Sequence, residues 1–278
     1  MAPVLDPDWQ NPYAPSAHER QGNLHFVRTF ALRRALPGTI IAGLVVAALI
    51  VGVVVVPWLP ALGVVVGLAY AWYLRSSLAR FERCGSSLGA LMLAHFSASG
   101  TAKDRQRLTT VLDRLSATFG VDEVSAFIVS DPGYNAALVP NGSTLSLFVT
   151  DAMMADFELI ELEGVVAHCL ARHRLGLLNR ESVAAVATLG EEARRMLAGP
   201  GLSYRADEVA AAAIRYPLGL AGALFKCARQ TPGADSFFSS EPFTRWRWVW
   251  FNIWSDRSTT DLSDLDDVQL RALALEEW

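Results

Sequence analysis

Between residues 37 and 58 the chain reads PGTIIAGLVVAALIVGVVVVPW and carries no charged side chain. About 20 apolar residues suffice for a helix to cross a bilayer, so this stretch must be surrounded either by lipid or by a large core. A PWLP break follows, and residues 61–74 (ALGVVVGLAYAWYL) form a second, shorter apolar run. Pro57 and Pro60 favour a helix break there, because proline lacks a backbone donor and clashes with the preceding turn. The pattern predicts a transmembrane helical hairpin with spans at about 37–58 and 60–75.

Trp58, Tyr70, Trp72 and Tyr73 lie near the ends of these runs, where amphipathic rings favour the membrane interface. Arg28, Arg33 and Arg34 precede the first span, and Arg75, Arg80 and Arg83 follow the second; the connecting turn is uncharged. Basic residues accumulate on the cytoplasmic side of membranes. The expectation is therefore a two-pass protein of the cytoplasmic membrane, with both termini and the globular domain in the cytoplasm and the lipid bilayer as a partner. A 52% hydrophobic composition and a mean hydropathy of +0.27 agree with it. A buried core hairpin is the alternative. A cleaved signal peptide fits worse, since the run begins late and exceeds the usual ~7–15 apolar residues.

The net charge of −4 supplies no basic field, which argues against nucleic acid as a partner. Cys84, Cys169 and Cys227 are odd in number and contain no C-x-x-C pair, so neither a disulfide framework nor a cysteine zinc knuckle is indicated. A reducing compartment fits them. Residues 1–22 are polar and proline-rich without an apolar period, and a mobile tail over 1–27 is expected. The hairpin then takes 28–83, a globular domain 84–240, and a Trp-rich segment with an acidic C-terminal helix 241–278.

In the globular domain, Leu108, Val111, Leu112, Leu115 and Phe119 recur at three- and four-residue steps before Gly120, an amphipathic helix with a stop signal. VSAFIVS (124–130) reads as a strand. NAALVP and STLSLFVT flank Asn141 and Gly142, a hairpin signal of the type I′ kind. Three helical stretches follow, over about 156–178, 181–199 and 204–229, the last bent before Pro217. The fold class is α+β, with a mainly helical domain and a small β-hairpin or sheet. GSSLG (85–89) has the spacing of a nucleophile elbow but follows the membrane helix, so a small-residue helix segment fits it better.

EGVVAHCLARHRLG (163–176) has the frame of a zinc-protease helix, H-E-x-x-H, without its chemistry. His168 is followed by Cys169, and Arg172 stands four residues on, where a second histidine is needed to converge on a metal. His173 is five residues from His168, about 140° away around the helix, and does not replace it. Arg172 would put a permanent positive charge at the ion's place. A noncatalytic metal site using His168 or Cys169 with Asp207 or Glu208, and a Cys169–His173 nucleophile pair, are the remaining chemical options.

Around this motif, residues 108–224 resemble the membrane metalloproteases of the HtpX and CAAX-prenyl-protease type, a gluzincin family. Asn135 and Ala136 match the family's Asn-Ala pair, FVTDAMM its strand-to-helix exit, VVAHCLARH its ligand helix, and LSYRADEVAAAAI its third-ligand helix. The resemblance implies a zincin-like fold and assigns His168 to the first ligand position, Cys169 to the general base and Arg172 to the second ligand. Ser203 then takes the third ligand position and Asp207 that of a supporting aspartate. On these assignments the site is degenerate, with no catalytic residue and no cofactor. The implied protein is a catalytically inactive metalloprotease homologue, a protein-binding or regulatory subunit for another membrane protein or complex. Asn135, Ala136, Val149 and Thr150 would line a groove able to take an extended peptide by strand addition. The collapsed site would be packed by side chains or bridged by Arg172 with Asp207 or Glu208. The alternative is a divergent zinc-dependent membrane endopeptidase with non-standard ligands, His168 among them.

FTRWRWVWFNIWSDR (243–257) alternates Trp246, Trp248 and Trp250 with other residues at period two, which predicts an extended segment with one tryptophan face. With Trp254, these rings suit the domain core, the bilayer interface or a partner surface. Leu265, Val268, Leu270, Leu273 and Leu275 form a stripe on a final acidic helix.

Overall fold

The computed structural model describes residues 13–51, 58–253 and 267–277. Within these, the chain is mostly helical with one small three-stranded sheet.

Helices α1 (Ala17–Val51) and α2 (Leu59–Cys84) pack side by side. Gly63 permits the approach, since a Cβ there would stand 3.3 Å from Leu49 Cβ. Both α1 and the run Leu59–His95 are long and apolar enough to cross a membrane. Their apolar stretches face outward: 0% and 6% of the most apolar 18 residues are buried. A core hairpin would show the reverse. Pro57 and the rest of 52–57 lie outside the described residues, whereas Pro60 sits in the first turn of α2, where its missing donor costs nothing.

The expected mobile tail over 1–27 is corrected from residue 17 onward, because α1 begins at Ala17 and its first half docks on the globular domain. Val27 and Phe30 are buried on one face. Polar side chains do the rest: Asn23 donates to the Leu175 carbonyl at 2.9 Å, Arg180 donates to Asn23 at 2.7 Å, and Arg205 pairs with Glu19 at 3.0 Å. The apolar contacts of Phe26, Val27 and Phe30 lie past the polar stretch 1–22 from which the tail was expected.

A short 3-10 turn, Gly85–Ser87, leads into α3 (Leu88–His95). The GSSLG glycines are packing positions: a Cβ at Gly85 would meet Ser182 Cβ at 3.0 Å, and one at Gly89 would meet Asn141 Cβ at 2.6 Å. Helix α4 (Ala102–Phe119) opens with a capping box between Thr101 and Asp104 and ends at Gly120 in the left-handed region, φ +61. Its five expected core residues are all buried.

Strands β1 (Val124–Val129), β2 (Ala136–Asn141) and β3 (Thr144–Thr150) form a sheet of order β1-β3-β2, with β3 parallel to β1 and antiparallel to β2. Asn141 pairs with Thr144, so the turn centres on Gly142 and Ser143 rather than on Asn141 and Gly142. Only Gly142 has positive φ (+64), the pattern of a II′ turn in place of the expected I′.

Helices α5 (Asp151–Asp156) and α6 (Leu159–Arg174) follow, the latter buried over most of its length. The stretch read as one helix over 181–199 divides into α7 (Leu178–Val186) and α8 (Glu191–Ala198). Beyond them, α9 (Leu202–Ile214) and α10 (Pro217–Arg229) are separated by Arg215 in the left-handed region, φ +56. Gly164 lets α10 cross α6 closely, since its Cβ would meet Leu220 Cα at 2.7 Å. The tryptophan stretch is not a strand: α11 (Glu241–Trp246) runs into a 3-10 turn, Arg247–Val249, and α12 (Val268–Glu276) closes the chain. Apolar side chains on different faces of these short turns enter the core, which period-two alternation alone does not reveal.

Candidate functional site: a buried ionic centre

His168 and Arg172 stand one turn apart on α6, within about 40° of each other around its axis. Both are buried, and both face the segment 248–251 that crosses beside α6. His168 Nδ1 lies 2.6 Å from Asp207 Oδ1 on α9. Arg271, delivered by α12 and 0% exposed, donates from Nε to Asp207 Oδ2 at 2.7 Å and from Nη2 to Oδ1 at 2.9 Å. Its Nη1 donates to the Phe251 carbonyl at 2.9 Å, and the Phe251 ring stands edge-on to His168 with centroids 5.1 Å apart. Arg172 pairs with Glu181 of α7 through Nε at 3.0 Å, and donates to the Val249 and Trp248 carbonyls at 2.8 and 2.6 Å.

Two guanidiniums thus face two carboxylates, with main-chain carbonyls taking further donors. That is the arrangement a buried charge requires, because an unpaired ion inside a protein costs several kcal/mol, of order 3–5 when one partner is removed. Burial disfavours the imidazolium of His168 and brings its pKa down to about 4, against the pull of Asp207. Burial alone would raise the Asp207 pKa, but Arg271 and His168 outweigh it and hold the carboxyl below its ordinary value. A carboxylate only accepts, so the network assigns the neutral His168 its proton on Nδ1.

Cys169 is fully buried beside β2, and burial pushes its thiol up to about 12, which disfavours the thiolate. Among the described residues no hydrogen bond joins it to His173. Ser203 is half-buried on α9, one turn before Asp207. Among the described residues no three of His, Cys, Asp and Glu gather as a metal-binding set. A catalytic zinc takes three protein ligands and a water. Here only His168 and Asp207 approach each other, and both Asp207 oxygens are already engaged. Among the described residues, these two offer at most two of the three ligands.

Several expectations need correction. Arg172 bridges to Glu181, not to Asp207 or Glu208; Asp207 belongs to Arg271, and Glu208 pairs with Arg205 at 2.9 Å. The proposed groove is closed, since Asn135, Ala136, Val149 and Thr150 are all fully buried. Val149 and Thr150 lie on the central strand and have no free edge. The edge of β2 is met by the chain itself: Phe251 donates to the Ala136 carbonyl at 2.7 Å, and Ala137 bridges to Trp250. The Asn135 carboxamide donates to the Asn252 carbonyl and accepts from its N–H, both at 2.9 Å. Trp250 (1% exposed) and Trp248 (8%) are core residues, not interface anchors. Trp246 is half-buried in a ring cluster with His95 and Phe237, and Trp254 lies outside the described residues.

Sequence reasoning missed Glu181, Phe251, Asn252 and Arg271. Arg271 did leave a signal. It is three residues after Val268 and four before Leu275, so an arginine sits on the apolar face of α12. No protein-family model, curated protein or solved structure matches this chain.

Proposed function

We propose that the chain is a membrane-anchored, catalytically inactive homologue of HtpX-type metalloproteases, acting as a protein-binding or regulatory subunit at the cytoplasmic face of the membrane. The observation that carries this reading is the guanidinium of Arg271 held by both oxygens of Asp207, with His168 Nδ1 3.4 Å away. On the resemblance of the ligand helices, α6 and α9 are the elements that would present zinc ligands, and a fixed organic cation stands between them instead. Arg172, one turn beyond His168, adds a second fixed charge already neutralised by Glu181. A metal dication entering here would meet two guanidiniums, and Cys169 stands where the resemblance places the water-activating carboxylate.

The outward-facing apolar surfaces of α1 and α2 support a two-pass anchor, and the arginines flanking both spans support a cytoplasmic domain. Since the β2 edge is occupied from within, a protein partner would engage an outer face of the domain and not the peptide groove of an active protease.

Metal analysis of the detergent-purified full chain tests the reading. The expected result is no stoichiometric zinc, before and after incubation with zinc and desalting. Stoichiometric zinc that disappears in His168→Ala would establish the divergent endopeptidase instead.

A further inference from the structure

The membrane hairpin carries six arginines between residues 28 and 83 against the single carboxylate of Glu82. Two cross-helix contacts fix their heights. Thr39 Oγ1 lies 3.4 Å from the Tyr70 hydroxyl, and Arg28 lies 3.8 Å from Glu82. Arg34 and Arg75 each stand five residues beyond the first contact, toward the domain, which at 1.5 Å per residue is about 7–8 Å. Arg33 lies beside them. Three exposed arginines therefore leave the helices within about one residue rise of one level, and Trp72, one turn before Arg75, is exposed on α2.

Arg28, one level further on, has Glu82 as its partner, and Arg80 and Arg83 turn back onto their own helix through Ser76, Ser77 and Ala79. Arg33, Arg34 and Arg75 have no hydrogen bond or ion pair with any described residue; Arg34 only stacks over Phe30 at 5.8 Å. Three unpaired positive groups at one height repel one another, and a partner of opposite charge at that height relieves the repulsion. Guanidinium binds phosphate through paired hydrogen bonds, and aromatic rings one turn away mark the headgroup level.

We infer that Arg33, Arg34 and Arg75 form a binding collar for the headgroup of an anionic phospholipid, seated against α1 and α2 at the cytoplasmic leaflet. This rests on the bilayer reading of the hairpin. The collar makes the anchor selective for lipid charge: zwitterionic lipid surrounds the spans, while anionic lipid is retained at the collar.

The test uses the full chain in detergent, stripped of lipid and titrated with phosphatidylglycerol, phosphatidylcholine or inorganic phosphate, with adducts counted by native mass spectrometry. Phosphatidylglycerol should be retained about tenfold more strongly than phosphatidylcholine, from the attraction of several basic groups to anionic lipid. Inorganic phosphate at equal concentration should not displace it, which separates a lipid headgroup from a free anion. The variant Arg33→Gln/Arg34→Gln/Arg75→Gln should lose the preference while unfolding at the parental temperature, since all three side chains are exposed. Arg83→Gln should keep it. Equal retention of both lipids, or a preference that survives the triple substitution, would overturn the collar. Alkaline extraction of vesicles carrying the chain separates this failure from the broader one. A chain that resists extraction yet shows no preference loses only the collar, whereas one that is extracted loses the membrane anchor and the collar together.

Discussion

Arg172 and Arg271 are both buried, both hold a carboxylate, and both donate to main-chain carbonyls of the same 248–251 segment. They differ in reach. Arg172 closes a local loop, to Glu181 nine residues on in the next helix. Arg271 closes a long one, meeting Asp207 and His168 at separations of 64 and 103 residues. The charge visible in the ligand-like motif thus turns out to be neutralised by its neighbourhood. The charge that governs the centre arrives from the other end of the chain.

Removing each arginine is the strongest way to break this comparison. Arg271→Ala leaves the Asp207 carboxylate buried without its guanidinium and should cost ~3–5 kcal/mol in denaturant unfolding of the detergent-solubilised chain. Arg172→Ala should fall at the low end of that range, because its partner Glu181 is more exposed, at 7% of its side chain against 3% for Asp207. A larger loss in Arg172→Ala would reverse the ranking. If Arg271→Ala does not fold, Arg271→Met with Asp207→Leu decides the matter. Replacing both charges by apolar groups should recover most of the stability, and failure to recover it would assign the loss to packing.

The next effect is a pH dependence centred on His168, which both arginines influence. His168 is brought from an ordinary 6.5 to about 4 by burial. The unfolded chain therefore takes up a proton near pH 6.5 that the folded chain refuses until about pH 4. Stability from this group is complete above pH 6.5 and is lost as pH falls toward 4, with a slope of up to ~1.4 kcal/mol per pH unit. Asp207, held below its ordinary value, loses its contribution only at lower pH still. His168→Asn should flatten the unfolding free energy between pH 6.5 and 4 relative to the parent chain, whereas Arg172→Ala should keep a slope there and narrow its window from the acid side, because the Arg172 charge also lowers the His168 pKa. An unchanged slope in His168→Asn would place the titration elsewhere.

The same contrast of local and distant explains what the sequence made legible. The apolar hairpin and α4 were readable because twenty or so consecutive residues, or five at helical spacing, carry the signal by themselves. The hairpin strands were readable to within one residue of their turn. The pairing of His168, Asp207 and Arg271 was not, because a sequence does not state which buried charge meets which across three helices. Nor was the closed edge of β2, since a strand shows its own pattern but not the 250–252 segment laid against it. The alternating tryptophans misled for a related reason: rings spaced two apart enter a core from consecutive short turns as well as from a strand.

The smallest expected effect sharpens the role of α12. The leucine stripe read from the sequence joins two faces: Leu275 is 4% exposed, whereas Leu270 is 54% and Leu273 44% exposed. The buried face contains Val268, Arg271, Ala272 and Leu275, so the helix docks through an arginine set among small and apolar neighbours. Leu270→Ser should therefore change stability by no more than about 0.5 kcal/mol, as exposed substitutions commonly do, while one residue away Arg271→Ala should cost ~3–5 kcal/mol. Equilibrium unfolding of the two variants under one condition measures the difference. A Leu270→Ser loss comparable to that of Arg271→Ala would mean that α12 is held by apolar contact on its outer face. Its arginine would then be a passenger, and Arg172 would be left as the residue that fixes the centre.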